Sequence, residues 1–345
     1  MKLAMTLKFS PTAGVDMDLV REAEGLGYDA VWCGEAYGTD AVTPVAWVLA
    51  QTKTIKAGTS IMQIPARTPA CAAMTAMTLQ AMSGNRFLCG VGPSGPQVVE
   101  GWHGVPFGEP LLRTREYIAV IRRILERQAP LEFDGEHYQI PYRGPGSTGL
   151  GKPLRSIIHG DPDLKIYTAA IAPAGLRTAG EVADGTLPIF MSPEKAATIT
   201  APILEGMTKG GAGKTLADFD LAPYVRISMG KDLAACRDAV RPQLALYIGG
   251  MGARSKNYYN DLAKRLGYEA AAGAIQDHFL AGRRKEAEGA VPDALIDETS
   301  LVGSNERVKD RLEAWKEVAK DHRVGSLLLA GAPPEALRVV AEAVL

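Results

Sequence analysis

Gly90-Val91-Gly92-Pro93-Ser94-Gly95 spells GxGxxG directly after an apolar run, the written form of a turn whose backbone approaches a dinucleotide pyrophosphate. That chemistry requires a helix to open at the last glycine and aim its N–H groups at the phosphates. Pro96 and the Gly101-Trp102-His103-Gly104 stretch postpone the expected helix to about residue 110, so the segment reads as a glycine-rich loop that a ligand approaches closely. Lys209 to Thr215 ends in Gly-Lys-Thr, but Thr208 stands where a P-loop needs its first glycine, and a solvated loop is the reading. The 5 histidines (His103, His137, His159, His278, His322) are scattered without HExxH spacing, so no metal site is expected. No serine has glycines at both i−2 and i+2, which removes the nucleophile elbow. What is left is a series of residues that each follow an apolar run: Glu35, Ser60-Ile61, Gly92-Pro93-Ser94-Gly95, Ala170-Ile171-Ala172-Pro173 and Met191-Ser192. Singly these are a rim charge, a cap and turn residues. Together they mark one rim.

The elements that must position them alternate between β-type runs and helical patterns, the signature of βα units around a parallel sheet. Eight strands are predicted, at 2–7, 29–33, 55–61, 86–91, 165–170, 185–190, 221–229 and 325–330, mostly continuous apolar runs as expected of strands covered on both faces. Asp16 is the expected N-cap of a helix carrying Leu19, Ala23 and Leu26 on one face, with Gly27 ending it. A second helix follows Pro110: Leu111, Ile118, Ile121 and Leu125 recur at helical spacing, while Arg113, Arg115, Glu116, Arg122, Arg123 and Glu126 read as its solvated face. The expected fold is α/β, a single-domain (β/α)8 barrel over 1–345 with long insertions at about 92–164 and 231–300, the first containing a hairpin-like stretch from Leu131 to Tyr138. Barrel enzymes carry their sites at the C-terminal ends of the strands, which is where the rim residues fall.

Composition narrows the partners. Lys+Arg 38 against Asp+Glu 39 gives a net charge of −1, without the electrostatic footprint of a nucleic-acid or anionic-membrane binder. No stretch of eighteen apolar residues is present to span a bilayer. The N-terminus reads as a first strand and not as a signal peptide, and Cys33, Cys71, Cys89 and Cys236 form no staple or CxxC pattern, so a reducing, cytoplasmic setting is expected.

The rim residues and their surroundings resemble the bacterial-luciferase-like oxidoreductases, in the branch that uses the deazaflavin coenzyme F420. The resemblance spans nearly the whole chain. It is carried by Gly27-Tyr28-Asp29-Ala30-Val31-Trp32-Cys33-Gly34-Glu35, by Gly58-Thr59-Ser60-Ile61-Met62-Gln63-Ile64-Pro65-Ala66-Arg67-Thr68-Pro69, and by Met82-Ser83-Gly84-Asn85-Arg86-Phe87 with Gly90-Val91-Gly92. Gly101-Trp102-His103-Gly104, Thr168-Ala169-Ala170-Ile171-Ala172-Pro173 and Ala183-Asp184-Gly185 extend it. The resemblance implies a homodimeric, luciferase-like TIM barrel holding a flat tricyclic cofactor at the rim. It further implies a non-proline cis peptide at Ser60-Ile61 as a bulge behind the ring, Glu35 near the ring, backbone of Ala170, Ile171 and Ala172 on the cofactor, and Gly92, Pro93, Ser94 and Gly95 beside its tail or the substrate.

Two departures limit the transfer. Sugar-phosphate dehydrogenases of this branch carry a catalytic histidine after the acidic residue, and here Ala36 and then Tyr37 follow Glu35; their strand-four glutamate has no counterpart among Ser94, Gly95 and Pro96. Candidates for a proton relay are Glu35, Tyr37, Glu100 and His103. A deazaflavin moves hydride, so the site needs orientation and exclusion of water in place of a metal or nucleophile. Arg67, Arg254 and Lys256 read as solvated charges, with cofactor phosphate as the other reading, and Trp102 and Phe107 point to an apolar pocket for a small-molecule substrate. The alternatives are an FMN-dependent monooxygenase and a non-catalytic deazaflavin-binding protein.

Overall fold

A computed structural model of the chain describes residues 1–8, 12, 14–211 and 213–345. Ala212, within the Gly-Lys-Thr stretch, lies outside the described residues. Parallel strands Lys2–Thr6, Ala30–Cys33, Lys56–Thr59, Phe87–Gly92, Ile166–Thr168 and Gly185–Thr186 pair in chain order, and Ser326–Ala330 pairs with the first. Asp220–Leu221 and Tyr224–Met229 are two halves of one strand, the first paired with Gly185–Thr186 and the second with Ser326–Ala330. Backbone bonds from Ala222 N to Thr186 O and from Tyr224 N to Pro188 O carry this pairing upward, so the sheet curls closed into the α/β barrel.

The predicted strands 185–190 and 221–229 are shorter or broken in the structure because each contains a proline, Pro188 and Pro223, with no N–H to give to a ladder. Strand Ser300–Gly303 was not expected. It pairs with the upper half of Tyr224–Met229, at Arg226↔Ser300 through Met229↔Gly303, on the edge opposite Ser326–Ala330. Two-residue strand Met62–Gln63 continues the third strand beyond a kink and pairs with Val91 and Gly92.

The barrel interior is filled by Ala4, Ala30, Trp32, Leu88, Tyr167, Leu187, Ala222 and Leu328, with Ile61 and Tyr224 packed against them toward the top. Trp32 and Tyr167 meet edge to face at 5.0 Å. Gly58 is glycine because a Cβ there would sit 2.6 Å from the Trp32 ring. The larger core lies between the sheet and the helices, with Leu3, Val31, Ile118, Ile121, Leu176 and Leu327 almost wholly buried.

Asp16 caps helix Met17–Gly25 through Leu19 N at 3.0 Å, and Gly27 leaves it with φ +88°. Helix Pro110–Glu126 forms where predicted, but its charged side is not simply solvated. Glu116 is buried and accepts from Glu136 N, His137 N and Tyr138 N at 2.8, 2.9 and 3.1 Å, pinning the turn between strands Phe133–Asp134 and Gln139–Ile140. Arg115 pairs with Glu181 and Arg122 with Asp184, so the helix is bolted to its barrel neighbours by the very residues that read as a water-facing stripe.

Candidate active site

The third strand ends at Thr59, and the Ser60–Ile61 peptide that follows is cis, as the resemblance implied; Ile140–Pro141 is the other cis bond among the described residues. The bulge is held from the far side of the barrel mouth, where Tyr224 OH donates to Ser60 O at 3.2 Å. The Ile61 side chain lies against Gly92: a Cβ on that glycine would meet Ile61 Cγ1 at 2.9 Å and Cδ1 at 3.0 Å, and Ala169 Cβ at 3.6 Å. Strand ends three, four and five therefore converge on one spot, bringing Ser60, Ile61 and Gly92 together with Ala169, the residue before the predicted Ala170–Ala172 segment. The Ser60 hydroxyl is buried there with no hydrogen-bond partner. Buried polar atoms are seldom left unpaired in a finished structure, so an orphaned hydroxyl at converging strand ends fits a site completed by a polar ligand.

The glycine loop departs from its prediction. A helix does open at once, Pro96–Gly101, with Gly95 as N-cap and Pro96 in its first turn. Proline suits that position because its fixed φ is helical and its missing N–H would have had no partner. The helix is 6 residues long, and Ser94 reaches it through a left-handed φ of +61°. Pro96 is thus no obstacle to a helix; the barrel context, not the proline, distinguishes this turn from a dinucleotide fingerprint.

Glu35 is not a rim charge. Its side chain is 8% exposed; Oε2 accepts from Arg67 Nη1 at 2.7 Å and Gln63 N at 2.8 Å, and Oε1 from Arg67 Nη2 at 2.9 Å and Ala41 N at 3.4 Å. Arg67, in turn, is neither solvated nor free for a cofactor, and its pairing with Glu35 raises its already high pKa. Arg254 and Lys256 behave as surface groups, the first paired with Asp277 and the second over the Tyr258 ring.

Gln63, which sequence reasoning passed over, is the hinge of the network. It is fully buried; Nε2 donates to Ala36 O at 2.7 Å and Oε1 faces His103 Nε2 at 3.1 Å. Because Ala36 O can only accept, the amide orientation is fixed, Gln63 Oε1 is the acceptor toward His103, and His103 Nε2 carries a proton. Glu35, Gln63, Arg67 and His103 therefore form one connected array across the loops after strands two, three and four. Tyr37 stands apart from it, 65% exposed, with its ring 6.4 Å from Trp102. Glu100 accepts from Phe107 N at 3.4 Å. Ile171 O accepts from Arg265 of the second insertion at 2.8 Å.

That insertion also reaches the mouth. Its π-helical turn Leu246–Gly250 presents Tyr247, which meets Phe190 at 5.6 Å and Tyr259 at 4.8 Å edge to face. Burial raises the pKa of Tyr247, Tyr259 and Tyr224, and the Tyr247 phenol further raises Tyr224, so these hydroxyls stay protonated across the physiological range. No group of three or more metal-ligating side chains occurs among the described residues.

The family model described as luciferase-like monooxygenase matches residues 10–322. A protein of Mycobacterium tuberculosis named as a coenzyme F420-dependent oxidoreductase is 41% identical over 87% of this chain and 86% of its own length. A 5,10-methylenetetrahydromethanopterin reductase of Archaeoglobus fulgidus is 28% identical over 85% of this chain and 83% of its own. Among solved structures, the F420-dependent tetrahydromethanopterin reductase of Methanopyrus kandleri superposes with TM-score 0.78 at 24% identity, covering 99% of this chain and 98% of that one. An F420-dependent secondary alcohol dehydrogenase superposes with TM-score 0.75 at 18% identity, covering 100% and 98%. Both likenesses show the fold.

Proposed function

The chain belongs to the luciferase-like monooxygenase family, and on that footing we propose that it is an oxidoreductase moving hydride between coenzyme F420 and an organic substrate held at the barrel mouth. The observation that carries the reading is the orphaned Ser60 hydroxyl at the convergence of strand ends three, four and five. When bound, F420 supplies a ring carbon that gives or takes hydride. The choice of F420 over FMN rests on the relatives named for that coenzyme.

The chain's own residues divide the remaining tasks. The Ser60 hydroxyl, with the backbone of Gly92–Gly95 and Ala170–Ala172, would hold and orient the ring system. Glu35 is a positioning residue: its oxygens accept from Arg67, Gln63 N and Ala41 N, and through them it fixes the loops. His103 is the proton carrier, with its Nε2 held on Gln63 Oε1. Tyr247, Tyr259 and Phe190 exclude water from one side of the mouth.

Two further parts of the proposal concern setting and assembly. No helix among the described residues is long and apolar enough to cross a membrane, and the four cysteines are free thiols, which supports a cytoplasmic enzyme. Trp47, Met74 and Met82 are exposed on helices Val42–Gln51 and Pro69–Ser83, an apolar surface suited to a homodimer, to be read by light scattering. The function itself is tested by fluorescence titration of the purified protein with F420 and, separately, FMN. F420 binding with no FMN binding at micromolar concentrations is expected, and the reverse sinks the proposal.

A further inference from the structure

Strand Tyr224–Met229 carries an arginine in an otherwise apolar and hydroxyl-bearing run, and its alternation shows where that arginine points. Val225 and Ile227 are buried under the helices, while Tyr224, Arg226 and Ser228 are partly open, so the even positions face the barrel mouth. Tyr224 reaches the Ser60 bulge. Two residues further along, Arg226 stands about 7 Å nearer the C-terminal end on the same face.

Its guanidinium lies against Gly331 at the end of the last barrel strand, where a Cβ would come within 2.7 Å of Nη1 and 3.0 Å of Cζ. Around it are Phe190, Ile189, Gln243, Thr299 and Ala330, which line one recess with it. Among the described residues no hydrogen bond, ion pair or aromatic face engages this guanidinium. The contrast with the other arginines is decisive: Arg67, Arg115, Arg122, Arg237, Arg241 and Arg311 are all partly buried and all paired with carboxylates. A partly buried cation with no protein acceptor leaves its donors open to the recess, and its natural complement is an anion from outside the chain.

We propose that Arg226 is the recognition group for a carboxylate on the substrate, a reading that rests on the hydride-transfer function above. A single fork-shaped cation suits a planar monoanion, which it grips with two parallel N–H donors. Phe190 and Ile189 beside it suit an apolar body attached to that carboxylate. The substrate is then a carboxylic acid whose reacting carbon lies toward Ser60, with Arg226 fixing its other end.

Calorimetric titration tests this, with benzoate, benzamide and inorganic phosphate as probes, on the protein with and without F420. Benzoate is expected to bind and benzamide to bind about tenfold more weakly or worse; Arg226→Met weakens benzoate by about 10- to 100-fold, and Arg226→Lys recovers part of the loss. F420 affinity in Arg226→Met stays within about threefold of the original. The proposal is overturned if benzoate fails to bind, if benzamide or phosphate binds as well as benzoate, if Arg226→Met leaves benzoate affinity unchanged, or if that variant loses F420 instead. Benzoate binding through Arg226 in a protein that does not bind F420 would sink the hydride-transfer reading and leave this one standing. F420 binding without benzoate binding would do the opposite.

Discussion

Arg67 grips Glu35 through both terminal nitrogens, at 2.7 and 2.9 Å, and joins the loop after the second strand to the 3-10 turn after the third. Replacing Glu35 by Gln keeps the shape and removes the charge that Arg67 was built around. Breaking a mostly buried pair costs about 3 kcal/mol, so the urea midpoint should fall with an unchanged slope. F420 binding should weaken with it, because the same loops carry the bulge. An unaltered midpoint would mean that Arg67 finds water as easily as it finds Glu35.

Gly92 and Ser60 separate packing from ligand contact. Gly92→Val drives a branched side chain into Ile61 Cγ1 and Cδ1, already 2.9 and 3.0 Å from a bare Cβ, and should weaken F420 binding by at least about tenfold while the protein stays folded. Ser60→Ala removes a hydroxyl with no protein partner. Stability should not fall, while F420 affinity should drop by about 3- to 10-fold, the worth of one hydrogen bond. Equal affinity in both variants would show that the cofactor does not rest on this bulge.

His103 and Gln63 make a linked pair of predictions. With a substrate found by a depletion screen, His103→Asn should lower kcat by about 100-fold or more and leave F420 affinity alone. Gln63→Leu frees the imidazole from its amide partner and should shift the kcat–pH profile as well as lowering its plateau. A profile that moves in neither variant removes His103 from proton transfer.

Helices Pro173–Val182 and Ala197–Gly210 touch backbone to backbone through two glycines: a Cβ at Gly180 would lie 2.1 Å from Ile203 O, and one at Gly206 would lie 1.9 Å from Arg177 O. Gly180→Ala should therefore destabilise by about 3 kcal/mol despite alanine's better helix propensity. Thermal melts of the two forms would show it, and a rise in Tm would contradict the close approach.

Acid stability should depend on Glu24. Its Oε1 accepts from Lys53, Thr54 and Ile55 N at 2.7, 2.6 and 3.0 Å, tying the first helix to the entry of the third strand. Burial opposes ionisation, but those three backbone donors overcome it and hold the pKa at about 2, down from 4.5. A lowered carboxylate pKa means stability that is complete above pH 4.5 and lost as the pH falls toward about 2. The difference in unfolding free energy between the original chain and Glu24→Gln should shrink across that window; a constant difference would assign the anchoring to shape alone.

Most strands, the first helix's caps and the order of βα units were legible in the chain because they depend on neighbours a few residues apart: Asp16 on Leu19, Gly27 on the helix it ends, continuous apolar runs on their own burial. The rim was legible too, since residues that follow successive parallel strands must share one end of the barrel. Local signals failed where a residue's partner was remote. Arg67 and Glu35 are 32 positions apart, Gln63 and His103 are 40, and Tyr224 and Ser60 are 164, so no spacing could pair them. Glu116 looked water-facing because helical periodicity describes one helix and says nothing of the hairpin that folds over it. Only the closed barrel, by setting the even positions of Tyr224–Met229 toward the mouth, decided that Arg226 faces the site without a partner among the described residues while other partly buried arginines found theirs.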